Sequence, residues 1–224
     1  MILVKPSFEI KSMMGGDFPD DSPLEIIEKA GRTCYKSEGL TTENSAENFV
    51  KMITKRGHES VIEHSALTIK FVIDRGVSHE LVRHRLCAFS QESTRYCNYQ
   101  GGVTFVIPPW MDTTPIEIPA AYTYNPGANL SADDTWYCAM QEAEWRYLAM
   151  LDGGWSPQQA RSVLPNSLKT EIVVTANLRE WRHIFKLRCS KAAHPQMREI
   201  MLPLLERCKE LIPIIFDDIN IAGE

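Results

Sequence analysis

The feature that most restricts the fold is a change of hydrophobic period that occurs twice along the chain. Residues 65–74 set Leu67, Ile69, Phe71 and Ile73 against Thr68 and Lys70, an alternation that gives a strand one buried face. From Val77 the period turns helical. Val77, Leu81, Val82, Leu86 and Phe89 fall at helical spacing, with Ser78 placed to cap the start. The same handover recurs where residues 168–176, rich in Thr, Ile and Val, read as a strand that passes at Asn177 into a helix over 178–187. Its core side is Leu178, Trp181, Ile184, Phe185 and Leu187. Asp21 and Ser22 before Pro23 mark the start of an earlier helix, and 44–54, 132–151, 157–161 and the stretch after Pro195 read as further ones. Gly101 and Gly102 mark a turn into a strand over 103–107. Strands separated among helices, without regular βαβ alternation, specify an α+β fold. At 224 residues and 44% hydrophobic content the chain can bury its own core, and one domain over 1–224 is expected.

Charge narrows the function. The net charge of −5 disfavours a general nucleic-acid binder, which gains affinity by neutralising many phosphates with excess Lys and Arg. Yet Arg83, His84, Arg85, Ser93 and Arg95 are concentrated in one stretch, 83–97. Guanidinium groups match phosphate oxygens two at a time, and Ser90, Gln91 and Ser93 add neutral hydrogen-bonding groups for sugar or base. The plain alternative for such a run is a solvated basic face. The six cysteines lack CxxC spacing, no leader-like segment opens the chain, and no run of about 18 apolar residues occurs. A soluble cytoplasmic protein with no membrane partner is expected. The proline-rich segment 108–126 has no apolar periodicity and reads as a long loop or lid.

A second Arg-rich region holds Arg179, Arg182, His183 and Arg188, with Arg161 upstream. Arg179 and His183, four apart on one helix, face together and can grip one ligand, or else form an ordinary exposed face. Residues 56–65 carry two histidines and two glutamates. His58 and His64 are six apart, however, and point about 120° away from one another on a helix, so no metal site is expected. Cys87 and Cys97 lie near arginines but read as small apolar residues, and Ser93 has no nucleophile-elbow context. No GxGxxG or P-loop occurs, so a dinucleotide has to be held outside a Rossmann frame.

The signature RHR, seven residues, Ser, one residue, Arg, present as Arg83, His84, Arg85, Ser93 and Arg95, resembles the flavin-dependent thymidylate synthase (ThyX) family. GHESVIEH at 57–64, the Arg161 segment ending in Leu164 and Pro165, and NLREWRHIFKLR at 177–188 resemble that family's other blocks in the same order. The resemblance implies a ThyX-type fold, mixed helices with a central antiparallel sheet. It also implies a homotetramer with active sites shared between subunits. The implied reaction is methylation of dUMP to dTMP, with 5,10-methylenetetrahydrofolate as carbon donor, FAD as cofactor and NADPH as its reductant. It places Ser60, Arg83, His84, Arg85, Gln91, Asn177, Arg179 and His183 around FAD. Around dUMP it places Glu80, Leu81, Val82, Arg83, Gln91, Glu92, Ser93, Thr94, Arg95, Arg161 and Arg188.

Carried over in this way, Arg188 draws electron density toward the uracil carbonyls, as an oxyanion hole does, and Ser93, Arg95 and Arg161 take the 5′-phosphate. Glu80 stands where the family pattern has glutamine, and a carboxylate facing a uracil carbonyl repels unless protonated or turned away. Gln91 replaces a glutamate and Ser90 an asparagine. Two rivals from other classes are a nucleotide-sensing module without catalysis and an RNA-binding protein that stacks bases on Tyr96, Tyr99 and Trp110.

Overall fold

A computed structural model describes residues 1–14, 22–111 and 131–220. Its strands are β1 (Ile2–Val4), β2 (Ser7–Met13), β3 (Ala66–Asp74), β4 (Ala88–Gln91), β5 (Thr104–Val106) and β6 (Lys169–Asn177). Its helices are α1 (Pro23–Tyr35), α2 (Ser45–Lys55), α3 (Arg75–Leu81), α4 (Ala132–Asp152), α5 (Pro157–Ala160), α6 (Leu178–Arg188), α7 (Pro195–Leu211) and α8 (Pro213–Phe216). One sheet has the order β2-β3-β6-β4, and β1 pairs with β5 in a second. β3 and β6 are antiparallel: Leu178 N–H donates to the Ser65 carbonyl, Thr68 bonds Thr175, and Arg75 N–H donates to the Leu168 carbonyl. Mixed helices with an antiparallel sheet were expected, and this is the arrangement found.

The chain divides into two compact units. The first comprises Met1–Pro6, Val72–His79 and Gln91–Glu171. Here β1 runs parallel to β5, pairing Ile2 with Thr104 and Val4 with Val106. A capping box between Ser131 and Asp134 starts α4, and the buried residues Met140 and Tyr147 pack with Val103, Phe105, Ala160 and Leu168. The buried Glu144 carboxylate accepts the Val103 N–H at 2.8 Å, so the turn after Gly102 (φ 121) is tied to α4.

The second unit comprises Ser7–Phe71, Glu80–Ser90 and Ile172–Glu224. Ser22 and Glu25 form the capping box of α1, with Pro23 in its first turn. Gly31 lets α2 approach α1: a Cβ there would stand 2.4 Å from Phe49 Cε1, too close for any larger residue without repacking. On α6, Leu178, Trp181, Ile184 and Phe185 are fully buried. Trp181 packs against Phe71 and Phe185, and Phe185 meets Phe216 edge-on. Burying side chains of this size contributes about 1.5–3 kcal/mol each.

Three local expectations change. The helix read from Val77 to Phe89 stops at Leu81, and Phe89 belongs to β4. Leu86 is 75% exposed, so the apparent apolar stripe past Leu81 is a coincidence of spacing. The cap of α3 is Asp74, whose Oδ1 accepts the Val77 N–H at 2.8 Å, while the Ser78 hydroxyl donates to the Arg75 carbonyl at 3.0 Å from inside the helix. Asp74 can reach over the turn because residue 76 is glycine; a Cβ there would meet Asp74 Oδ1 at 2.9 Å. Leu187, expected in the core, is half exposed. The lid expected at 108–126 lies largely outside the described residues.

Candidate active site

The end of β6 and the start of α6 build the first cluster. Asn177 caps α6 through its side-chain oxygen, which accepts the Glu180 N–H at 2.8 Å. With the apolar face of α6 committed to the core, Arg179, His183 and Lys186 are turned to another side, where they line a cavity of about 570 Å³ with Asn177. Glu63, from the 3-10 turn Glu59–His64, holds Arg179 at 2.5 Å. Arg182 is different. It is 2% exposed, pairs with both oxygens of Asp218 at 2.6 and 2.7 Å, reaches the Ile215 carbonyl, and lies 3.3 Å from Glu59. Its guanidinium ties α6 to the segment after α8, a structural role that its place in the Arg-rich motif does not reveal.

At the far end of α6, Arg188 is held through three nitrogens. Nε donates to His84 Nε2 at 2.9 Å, Nη1 to Glu80 Oε2 at 2.7 Å, and Nη2 to the Glu80 carbonyl at 2.9 Å. The doubtful Glu80 is therefore the partner that aims Arg188. A guanidinium can only donate, so His84 Nε2 is the bare nitrogen and the proton sits on Nδ1, facing Glu180 Oε1 at 3.4 Å. Burial first, then the charge of Arg188 and His183, lowers the His84 pKa to about 4, so the ring is neutral at pH 7. It packs edge-on against His183 at 5.8 Å. Burial also raises Glu180 above the usual carboxylate range.

His84, Glu180 and His183 bring three ligand-type atoms within 4.8 Å, a grouping missed when only His58 and His64 were weighed. The His84 Nε2 lone pair is already used by Arg188, whose fixed positive charge opposes a cation beside it. Cys87 is pushed up to about 12 by burial and then by Glu180, so it is a thiol and not a nucleophile at neutral pH, as expected. The six cysteines are free.

The second cluster lies in the other unit. Arg161 starts the 3-10 turn Arg161–Val163 after α5, and its Nη1 donates to Thr94 Oγ1 at 3.0 Å. Thr94 is buried, whereas Arg95 and Tyr96 are exposed, the Arg95 guanidinium standing 5.4 Å from the Tyr96 ring centre. Ser93 Oγ accepts the Arg95 N–H at 3.3 Å and so shapes this turn. Gln91 and Glu92, expected to touch ligand, have internal partners: the Gln91 amide donates to Ser78 and Thr170. Glu92 accepts from Lys169, Tyr99 and the Glu171 N–H. The Tyr99 hydroxyl is held well above its usual pKa by burial and by that bond to Glu92.

The expected residues thus fall into groups. Glu80, His84 and Arg188 converge, as do Asn177, Arg179 and His183. Thr94 and Arg161 also meet. Ser60, Arg83, Arg85 and Arg95 are exposed, Val82 is 38% exposed, and Leu81 is fully buried, leaving only its backbone for a ligand. Sequence reading missed Glu59, Glu63 and Lys186 at the α6 cavity; the two glutamates stand in the GHESVIEH block, and Lys186 is one helical turn beyond Arg182.

The family model described as Thymidylate synthase complementing protein matches residues 19–214. The flavin-dependent thymidylate synthase of Geobacter sulfurreducens is 34% identical over 203 residues, 88% of this chain and 82% of that protein. That of Mycobacterium avium is 36% identical over 207 residues, with 90% and 82% covered. A probable flavin-dependent thymidylate synthase of Mycobacterium phage D29 is 33% identical over 231 residues, with 97% and 92% covered. The crystal structure of a UMP/dUMP methylase, PolB from Streptomyces cacaoi, bound with 5-Br dUMP, has the same fold, with a TM-score of 0.75 at 24% identity over 97% of this chain and 96% of that one. A family match over most of the chain, with relatives above 30% identity along nearly all of it, means that the chain belongs to the flavin-dependent thymidylate synthase family.

Proposed function

We propose that residues 1–224 act as one synthase domain that converts dUMP to dTMP, with 5,10-methylenetetrahydrofolate as carbon donor, FAD as cofactor and NADPH as reductant. The observation that carries this reading is the threefold hold on Arg188 by Glu80 and His84. C5 of uracil becomes nucleophilic when negative charge accumulates on its carbonyl oxygens, and a cation fixed in advance stabilises that charge without reorganisation. A neutral His84 serves this purpose better than a charged one. It orients Arg188 by accepting its Nε–H while adding no competing positive charge.

The α6 cavity suits part of an FAD molecule. Arg179 and Lys186 offer charge for a pyrophosphate, and Asn177 and His183 offer polar atoms beside the His84 ring. FAD held there would supply hydride chemistry once reduced by NADPH. A cavity of about 570 Å³ holds only a portion of such a molecule, and the exposed Ser60, Arg83 and Arg85 are read as contributing from its edges or to a neighbouring subunit's site. Val82, Leu86 and Leu187 are apolar and 38%, 75% and 49% exposed, which favours burial between subunits in a homotetramer with shared active sites. No helix among the described residues is long and apolar enough to cross a membrane.

The test is turnover by the purified full chain. Retention of FAD, its bleaching by NADPH in the presence of dUMP, and formation of dTMP dependent on methylenetetrahydrofolate are the expected results. Protein that retains no flavin and forms no dTMP under these conditions refutes the proposal, and flavin reduction without dTMP favours the sensing module.

A further inference from the structure

His84 stands between the two ends of α6. Arg188, in the last turn, donates its Nε–H to His84 Nε2 at 2.9 Å, and Glu180, in the first turn, places Oε1 3.4 Å from His84 Nδ1. All three residues belong to the second unit. The contact is enclosed: the His84 side chain is 4% exposed and that of Glu180 8%. Glu180 is fixed by its own chain, because its N–H donates to the Asn177 side-chain oxygen at 2.8 Å and its neighbours on α6, Leu178 and Trp181, are fully buried. Among the described residues its carboxyl makes no other ion pair or hydrogen bond, so nothing competes with His84 for it. The ring, neutral at pH 7, has one proton and two nitrogens to carry it. With that proton on Nε2, two N–H groups would oppose one another at the Arg188 contact, and Nδ1 would turn a lone pair toward a carboxyl oxygen.

We infer that Glu180 is a positioning residue for the methylation: by accepting the His84 Nδ1–H it keeps Nε2 bare toward Arg188, and so keeps the guanidinium aimed. This rests on the synthase reading above. Glu80 holds the two terminal nitrogens of Arg188, and His84 holds the third, which sets the rotation of the guanidinium plane. Ionised or protonated, the Glu180 carboxyl keeps an acceptor oxygen for Nδ1–H, so its raised pKa does not break the chain of contacts. Buried partners fixed in this way orient the group that meets the substrate, as the carboxylate behind a catalytic histidine does.

The experiment compares the full-length, FAD-loaded protein with its Glu180→Leu and Glu180→Gln variants. Nitrogen NMR of isotope-labelled histidine reads the His84 tautomer, its signals assigned by their loss in His84→Gln. Single-turnover dTMP formation, KM for dUMP, flavin content and melting curves are measured beside it. In the unmodified protein the proton is expected on Nδ1. In Glu180→Leu it moves wholly or partly to Nε2, and the single-turnover rate falls about tenfold with KM for dUMP and flavin content little changed, a smaller loss than removal of Arg188 because Glu80 still holds two nitrogens. Glu180→Gln, whose amide oxygen also accepts, restores the Nδ1–H form and recovers most of the lost rate. If the Leu variant does not fold, Glu180→Asp carries the test: it keeps the charge but draws the oxygen back from Nδ1, so mixed tautomers and an intermediate rate are expected. A merely structural Glu180 would lower the melting temperature without moving the tautomer. An unmoved tautomer in the folded Leu or Asp variant, or a rate that falls as far in Gln as in Leu, overturns the role of Glu180 and leaves the synthase reading intact. Unmodified protein that forms no dTMP sinks the synthase reading itself and the inference with it.

Discussion

Arg188→Ala is the most searching perturbation, because the catalytic role proposed for it and its structural role predict losses of different size. Two of the three bonds lost are to Glu80, whose side chain is 36% exposed, and Arg188 itself is 19% exposed. Solvent screening keeps the Glu80 share to about 1 kcal/mol, and the buried His84 acceptor left unpaired adds about as much again. Loss of a fixed donor to a developing oxyanion costs about 10²–10³ in kcat, or about 2.7–4 kcal/mol. The expected pattern is a fall in single-turnover dTMP formation of that size, with flavin content retained and the melting temperature lowered by a few degrees. The His84 pKa rises from about 4 but stays below 6.5, because burial is its larger cause and remains. Glu80→Gln retains most activity, since an amide oxygen still accepts from Nη1, whereas Glu80→Ala does not. Turnover within threefold of the unmodified protein, or loss of flavin in step with loss of turnover, refutes the assigned role of Arg188.

Acid should destabilise the protein through His84: folded, it stays neutral down to about pH 4, whereas unfolded it takes up a proton near its ordinary 6.5. Stability is complete above pH 6.5 and falls by about 3 kcal/mol as pH drops through that window, and denaturant midpoints that are flat from pH 7 to 4 would contradict this. Asp218, held below the usual carboxylate range chiefly by its bonds to Arg182, adds a loss at still lower pH, and Arg182→Met, which breaks that pair, should cost about 2 kcal/mol in urea unfolding. Trp181→Ala should cost about 3–5 kcal/mol from lost packing against Phe71 and Phe185, and a smaller loss would mean that the site collapses around the gap.

Helices α1, α2, α4 and α6 were legible because each joins a polar start to an apolar stripe that meets the core. β3 and β6 were legible because every second side chain is buried. β1 and β2 were not read: β1 is three residues long, and β2 has exposed and partly buried residues along its length, without a fully buried face to impose a pattern. The overextended helix after Val77 shows the opposite fault. Leu86 and Phe89 continued its spacing by chance, and only the β4 pairing at Gln91 and Glu92 shows that the chain has already turned into a strand.

For the site, the residue types were visible but their acceptors were not. Glu80 and Arg188 are 108 positions apart, and Arg182 and Asp218 are 36 apart, so no local pattern reports either pair. Yet the acceptors decide what each arginine does. Arg182, buried and matched by Asp218, Glu59 and a carbonyl, has little left to offer a ligand. Arg188 has one carboxylate and one neutral imidazole, enough to fix its direction while leaving part of its positive field available. Arg75 and Arg161 line a cavity that has no acid among the described residues. Raising ionic strength should therefore weaken the dUMP binding proposed at Arg161 far more than it weakens the buried Arg182 pair, since salt screens a solvent-filled cavity and scarcely reaches a guanidinium enclosed by protein.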